Sequence, residues 1–116
     1  MNPGRYNITV YQGTTFALSP QWLINNLAVN LTGYSAIFQV RQFVDSPTAL
    51  TTASTANGKI ILEPALGKLN ILIQSTETAT FPTGNYLYDL NLTAPDGITV
   101  YKILNGNFTV SPSVVH

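Results

Sequence analysis

Gly84 to Val110 reads GNYLYDLNLTAPDGITVYKILNGNFTV, and this stretch decides the fold of the chain. Apolar and polar residues alternate on both sides of Pro95-Asp96-Gly97, and a period of two is typical of strands with one face on a core. Proline presets φ and glycine permits positive φ, so the residues between the two runs favour a tight turn. The stretch therefore predicts an antiparallel hairpin, with a bulge or bend at Asn105-Gly106.

The remainder of the chain repeats this alternation in short segments separated by turn residues. The segments are Tyr6–Tyr11, Thr14–Leu18, Leu27–Leu31, Tyr34–Gln42, Thr48–Ala53, Lys59–Leu62 and Lys68–Gln74. Ser75 to Ala79 is the one helical candidate, with Ser75 able to cap a single turn. We therefore expect an all-β fold over residues 1–116: a single antiparallel β-sandwich of Ig-like character, with about eight short strands and at most one helical turn.

The strand periods also predict which side chains form the core and which two charges meet. The expected core consists of Phe16, Trp22, Phe38, Val40, Leu69, Ile71, Ile73, Tyr86, Tyr88, Leu90 and Val100. Arg41 and Asp89 lie on the non-core faces of their strands, where they either pair across neighbouring strands or both point at water.

Composition restricts the class of protein. Charged residues make up 9% of the chain, against roughly 25% in ordinary soluble domains, and the net charge is zero. A surface so poor in charge is weakly protected against association, which favours a protein that works in an assembly. The five Lys and Arg residues are scattered singly, so we expect no nucleic-acid partner. No apolar run approaches the roughly 20 residues that a membrane helix needs, so we expect no membrane partner.

The residues that carry chemistry are scarce. The chain has no cysteine, its one histidine is the last residue, His116, and no two carboxylates have the spacing of a catalytic pair. Gly84, Gly97 and Gly106 each fit a turn or bulge and form no phosphate-binding loop. The sequence therefore predicts a protein that is not an enzyme, with no catalytic residue, no metal site and no cofactor.

Several apolar and aromatic residues fall on the predicted outward faces of strands. They are Tyr11, Ile37, Leu87, Tyr101 and Ile103, and we expect them to form an interface, because such side chains are costly on a lone monomer. A sugar-stacking platform is a competing use of Tyr11 and Tyr101. The N-terminal lead-in, Met1 to Arg5, and the extended, mobile tail, Ser111 to His116, are expected to reach neighbouring proteins and to order only on assembly.

Three stretches together resemble a known family: YNITVYQGTTFAL (6–18), LTGYSAIFQVR (31–41) and residues 68–110, which contain a Ser/Thr-Glu turn, GNYLYDL and a DG turn. Their order is similar to that of small Ig-like virion proteins of tailed phages, such as the N-terminal domain of the baseplate upper protein and related tail and neck proteins. The recurrent motifs are structural, so the resemblance implies no catalytic residue.

The resemblance implies a bacteriophage structural protein located in the virion. It would be a small assembly, adaptor or decoration module, present in several copies on a symmetric scaffold and bound to capsid, portal, tail or fibre proteins. Which part of the virion it belongs to stays open between tail, neck, baseplate and capsid decoration. The alternative function is a carbohydrate-binding β-sandwich module for host attachment.

Overall fold

The computed structural model of the protein describes residues 4–113, which form eleven strands and two single helical turns. The strands are β1 (Gly4–Arg5), β2 (Ile8–Tyr11), β3 (Phe16–Leu18), β4 (Leu23–Ile24), β5 (Leu27–Ala28), β6 (Ser35–Arg41), β7 (Thr51–Ser54), β8 (Ile60–Glu63), β9 (Lys68–Ile73), β10 (Gly84–Thr93) and β11 (Val100–Ser111). A 3₁₀ turn spans Pro64–Leu66, and the α-helical turn α1 spans Ser75–Thr78. The all-β prediction is confirmed; three of the strands have only two residues, too few to show a period in the sequence.

Two sheets face each other around one core. The large sheet has β1 and β2 beside β11, followed by β10, β6 and β7, and the small sheet has the order β3-β9-β8. In Ig-like sandwiches, strands B, E and D form one sheet and strands C, F and G the other. Here β3, β9 and β8 take the places of B, E and D, and β6, β10 and β11 take the places of C, F and G. Strands β4 and β5 form a separate two-stranded hairpin. The Ig-like sandwich expected from the sequence is therefore observed.

The predicted hairpin is the pair β10–β11, but its bulge lies earlier than expected. Leu90 pairs with Leu104 and Asn91 pairs with Lys102, so Ile103 is the extra residue opposite this step. A bulge reverses which residues of a strand face the core. Val100 is consequently 56% exposed, which contradicts its predicted place in the core, whereas Ile103 is only 8% exposed and Tyr101 packs against the core.

The core is built around aromatic rings from both sheets. Phe16 of the small sheet lies 6.2 Å from Phe38 and 5.9 Å from Phe108, measured between ring centroids, and Phe38 lies 5.2 Å from Tyr88. Ring pairs at these separations stabilise a core beyond the area that they bury. Of the predicted core residues, Phe16 and Tyr86 are half-buried, and the following are buried: Trp22, Phe38, Val40, Leu69, Ile71, Ile73, Tyr88 and Leu90.

A tyrosine fixes the corner before β10. The hydroxyl of Tyr86 donates to the carbonyl oxygen of Pro82 at 2.8 Å, the bond that defines the tyrosine corner of Ig-like domains. The turn α1 precedes this corner, as the sequence predicts for Ser75 to Ala79. Its N-cap is Gln74, without a side-chain cap, so the predicted capping role of Ser75 is wrong.

The N-terminal segment is paired within the chain. Strands β1 and β2 run parallel to β11, so the large sheet is mixed and not purely antiparallel. Between them, the hydroxyl of Tyr88 donates to the carbonyl oxygen of Tyr6, and a Cβ on Gly106 would lie 2.3 Å from the same oxygen. Only glycine permits this close approach. The expectation of an unpaired lead-in is wrong from Gly4 onward, and residues 1–3 lie outside the described part.

The opposite side of the sandwich is joined through Glu77 of α1. Its carboxylate forms an ion pair with Lys59 and accepts a hydrogen bond from the hydroxyl of Thr51 in β7. Burial raises the pKa of Glu77, but the bonds from Lys59 and Thr51 outweigh it and the net pKa is lowered. The carboxylate thus links β7, an edge strand of the large sheet, to Lys59, which directly precedes β8, an edge strand of the small sheet.

At the other chain end, the predicted tail is in part a strand. Ser111 is the last residue of β11, where it pairs with Tyr11 and its carbonyl oxygen accepts a hydrogen bond from the backbone of Gln12 at 3.0 Å. The expectation of a mobile tail beginning at Ser111 is therefore wrong for that residue. His116 lies outside the described residues.

Candidate interaction surface

The outer face of the large sheet carries a groove with a volume of about 380 Å³, which we call the sheet-face groove. Leu87, Asp89 and Asn91 of β10 point away from the core and form part of the groove floor. Outward side chains of the neighbouring strands β6 and β11 form the remainder. The strand register aligns Asp89 with Gln39 on one side and with Asn105 on the other. The groove is lined by Arg5, Ile37, Gln39, Arg41, Phe43, Val44, Leu87, Tyr88, Asp89, Asn91, Lys102, Asn105 and Gly106.

Part of the groove lining is apolar. Ile37 and Leu87 are each 36% exposed, and beyond the end of β6 Phe43 is half exposed and Val44 is 85% exposed. Strand packing explains the first two positions, which alternate with the buried residues of β6 and β10. Phe43 and Val44 lie in the loop between β6 and β7 and are not among the residues that pack against the core. Exposed apolar side chains gathered in one place are typical of a contact surface.

The groove also carries an excess of cations. Arg5, Arg41 and Lys102 line it with a single carboxylate, Asp89, so three of the chain's five cations meet one of its five acids and the local formal charge is 3 − 1 = +2. Lys102 lies 3.4 Å from the carboxylate of Asp89. Within residues 4–113, no carboxylate forms an ion pair with Arg5 or Arg41. The predicted pair between Arg41 and Asp89 is therefore wrong.

Arg41 is held in place by its neighbours instead. Its guanidinium donates to the carbonyl oxygen of Ser46 at 2.8 Å and to the side-chain oxygen of Gln39 at 3.3 Å. Asp89 pairs with Lys102 because the bulge turns Lys102 outward beside it. A guanidinium has five N–H donors, so Arg41 keeps donors that these two bonds do not use.

Asn91 adds an unsatisfied polar atom to the floor of the groove. Its Oδ1 is buried and has no hydrogen-bond partner among the described residues. Asn91 lies between Ile37 and Lys102 in the strand register, so the orphan oxygen is at the end of the floor away from Leu87 and Arg41. A buried polar group without a partner is destabilising, and such groups recur at sites with a functional role.

The five predicted interface residues are not in one place. Ile37 and Leu87 both line the sheet-face groove, but they lie on opposite sides of Asp89, because Leu87 is level with Arg41 and Ile37 with Asn91. Tyr11 is exposed at the end of β2, outside the groove lining. The prediction that Tyr101 and Ile103 point outward is wrong, because the bulge turns both toward the core. Tyr101 instead packs on Trp22, with ring centroids 5.1 Å apart.

The groove contains functional candidates that the sequence analysis missed. Phe43 and Val44 lie in the loop after β6, between two predicted strands, and Arg5 lies in the lead-in. A signal was present: apart from Arg5 and Arg41, no charged residue occurs in the first 44 positions, and both of these arginines line the groove.

A second exposed apolar surface is the hairpin β4–β5, which we call the leucine hairpin. Leu23, Ile24 and Leu27 are all exposed, Leu27 at 72%, and the turn residues Asn25 and Asn26 both have positive φ. The hairpin is attached at its base, where the backbone of Trp22 donates to Gly67 at 2.7 Å. It lies in an uncharged run from Tyr6 to Val40. An isolated hairpin with apolar residues on its surface is only marginally stable in water, so a contact partner would stabilise it.

The described residues contain no group of three or more His, Cys, Asp or Glu side chains arranged to hold a metal ion. A second depression, of about 330 Å³, surrounds the ion pair of Lys59 and Glu77, whose charges already satisfy each other. No helix within residues 4–113 is long and apolar enough to cross a membrane.

The chain matches no protein-family model, and no curated protein matches its sequence.

Proposed function

We propose that the chain is a bacteriophage virion structural protein: a small assembly, adaptor or decoration module that binds other virion proteins and catalyses no reaction. The observation that carries the proposal is that two separate apolar surfaces, the sheet-face groove and the leucine hairpin, are exposed on a chain with few charges. An exposed apolar surface is unfavourable in a free monomer and favourable where a partner covers it.

The resemblance to Ig-like phage tail and neck proteins supplies the virion setting. The Ig-like strand order and the tyrosine corner are compatible with that resemblance. Several copies on a symmetric scaffold would cover both surfaces at once.

Purified particles test the virion setting. Mass spectrometry of particles, together with labelling by antibodies raised against the chain, should detect the chain as a stoichiometric component present in several copies. If the chain is missing from intact particles and remains a monomer at high concentration, the proposal is wrong.

Variants of the exposed surfaces test the mode of attachment. Leu27→Ser in the leucine hairpin and Val44→Ser at the groove should each reduce incorporation into particles without lowering the melting temperature. Ile98→Ser is the matched control, because Ile98 is equally exposed but lies in the turn between β10 and β11, outside both surfaces. Equal incorporation of all three variants would contradict attachment through these surfaces.

The carbohydrate-binding alternative has less support in the structure. The platform expected from Tyr11 and Tyr101 is not formed, since Tyr101 packs on Trp22 in the interior. Tyr11 remains exposed. Binding on a glycan array that is lost in Tyr11→Ala would favour the alternative.

A further inference from the structure

We propose that the sheet-face groove binds an extended acidic segment of a protein partner, with two carboxylates four residues apart and an apolar side chain midway between them. This inference rests on the proposed function, because it specifies the chemistry of the partner at one of its two surfaces.

Charge is the first argument. The groove carries a formal charge of +2 in a chain whose net charge is zero, and both arginines that lack an ion pair within residues 4–113 line it. Guanidinium groups bind carboxylates through two parallel hydrogen bonds, which makes arginine the favoured partner of acidic side chains at interfaces. Because Arg41 is already oriented by Gln39 and Ser46, little side-chain freedom is lost when it binds.

Spacing is the second argument. Arg5 lies in β1 and Arg41 in β6, with β11 and β10 between them. In the strand register Arg5 is level with Asn105, Asp89 and Gln39, and Arg41 lies two residues further along β6. Three steps of about 4.8 Å across the strands and two residues of about 3.3 Å along β6 place the two backbone positions about 16 Å apart. An extended chain rises about 3.3 Å per residue, so side chains at i and i+4 begin about 13 Å apart and point to the same side, and the long arginine side chains span the remaining difference of about 3 Å. The residue at i+2 also points to that side, above the middle of the groove.

The groove itself favours this ligand over a compact anion. Asp89 lies in the middle of the floor, and a concentrated charge such as phosphate placed there would be repelled by it. An uncharged apolar side chain at i+2 avoids this repulsion and faces Leu87, which lies two residues from Asp89 along β10 and is level with Arg41. Phe43 and Val44 follow Arg41 and line the same end of the groove. The volume of about 380 Å³ lies in the range of pockets that enclose small ligands or side chains.

The test uses the full chain labelled with ¹⁵N and a capped heptapeptide with glutamate at positions two and six, leucine at position four and serine elsewhere. Saturable shifts should appear in the amides of β6, β10 and the loop around Phe43. A peptide with glutamine in place of both glutamates should bind more weakly by at least tenfold, as expected for the loss of two charge-assisted hydrogen bonds. Binding should weaken as salt is added.

Three variants assign the contact. Arg41→Gln should weaken peptide binding about tenfold and the more exposed Arg5→Gln about threefold, since exposed pairs contribute less. Lys68→Gln is the matched control, because Lys68 also lacks an ion pair within residues 4–113 but lies outside the groove. Arg5→Gln removes no bond to the loop, so it keeps the test valid if Arg41→Gln disturbs the fold.

The inference is overturned if the peptide fails to saturate at millimolar concentration, if both arginine variants bind as tightly as Lys68→Gln, or if the shifts map to the leucine hairpin. Groove shifts that appear with protein concentration alone would identify a second copy as the occupant, and they also overturn it. These outcomes leave the proposed function standing if the chain is found in particles. Absence from particles would reject the virion function without affecting the peptide result.

Discussion

The two faces of the large sheet come from the same strands but differ in burial and in the kinds of side chain that they carry. On the inner face, Phe38, Tyr88 and Phe108 are almost completely buried and form one aromatic cluster with Phe16. On the outer face, charges, amides and apolar side chains lie side by side. Burial explains every position of the inner face, whereas burial explains few positions of the outer face. We infer that the inner face determines the stability of the fold and the outer face its contacts.

The largest expected effect is on the inner face. Phe38→Ala should lower the free energy of unfolding by roughly 3–5 kcal/mol, because it removes a fully buried ring and leaves a cavity. Leu87→Ala on the outer face is the matched truncation and should cost less than about 1 kcal/mol, since the side chain is partly exposed. Urea unfolding measures both changes. Comparable losses of unfolding free energy in the two variants would contradict the inference that the inner face determines the stability of the fold.

The next effect concerns the close approach at Gly106. Gly106→Ala should lower the free energy of unfolding by about 2–4 kcal/mol, because its Cβ would collide with the carbonyl oxygen of Tyr6 and displace the N-terminal strand. Gly58→Ala is the control: φ is also positive there, but no atom lies within 4 Å of the added Cβ. Hydrogen exchange at the amide of Tyr6, which is bonded to Asn105, should accelerate only in Gly106→Ala.

A smaller effect depends on pH. Burial raises the pKa of Tyr88 to about 12, from an ordinary value near 10. Between these values the unfolded chain loses the phenolic proton and the folded chain keeps it, so stability falls as pH rises. Wild type should lose on the order of 1–2 kcal/mol more than Tyr88→Phe between pH 10 and 12. Equal alkaline losses in urea unfolding would show that Tyr88 titrates normally.

The smallest effect on stability is expected on the outer face. Asp89→Asn breaks the ion pair with Lys102, but both side chains are nearly half exposed, so the free energy of unfolding should change by less than about 0.5 kcal/mol. The same change makes the groove more positive, and affinity for the acidic heptapeptide should rise about two- to threefold. A large loss of stability, or weaker peptide binding, would mean that Asp89 serves the fold and not the contact surface.

The sequence by itself determined the fold class and most of the core. Strict alternation in β6, β9 and β10 identified the buried side of each strand, because a strand with one face on a core leaves a period of two that does not depend on its neighbours. The turn at Pro95-Asp96-Gly97 was also local: the carboxylate of Asp96 accepts backbone hydrogen bonds from Thr99 and Ile98, which lower its pKa. Each of these features is decided by residues a few positions apart.

Only the tertiary structure decided which residues of β11 face the core and which residues line the groove. The bulge is placed by the register between β10 and β11, and one extra residue was enough to exchange Val100 with Tyr101 and Ile103 between the two faces. Similarly, Arg5, Arg41 and Lys102 are distant in sequence, and they meet because β1, β6 and β11 enter one sheet. Pairing between distant strands depends on the whole chain folding together, so no local pattern records it.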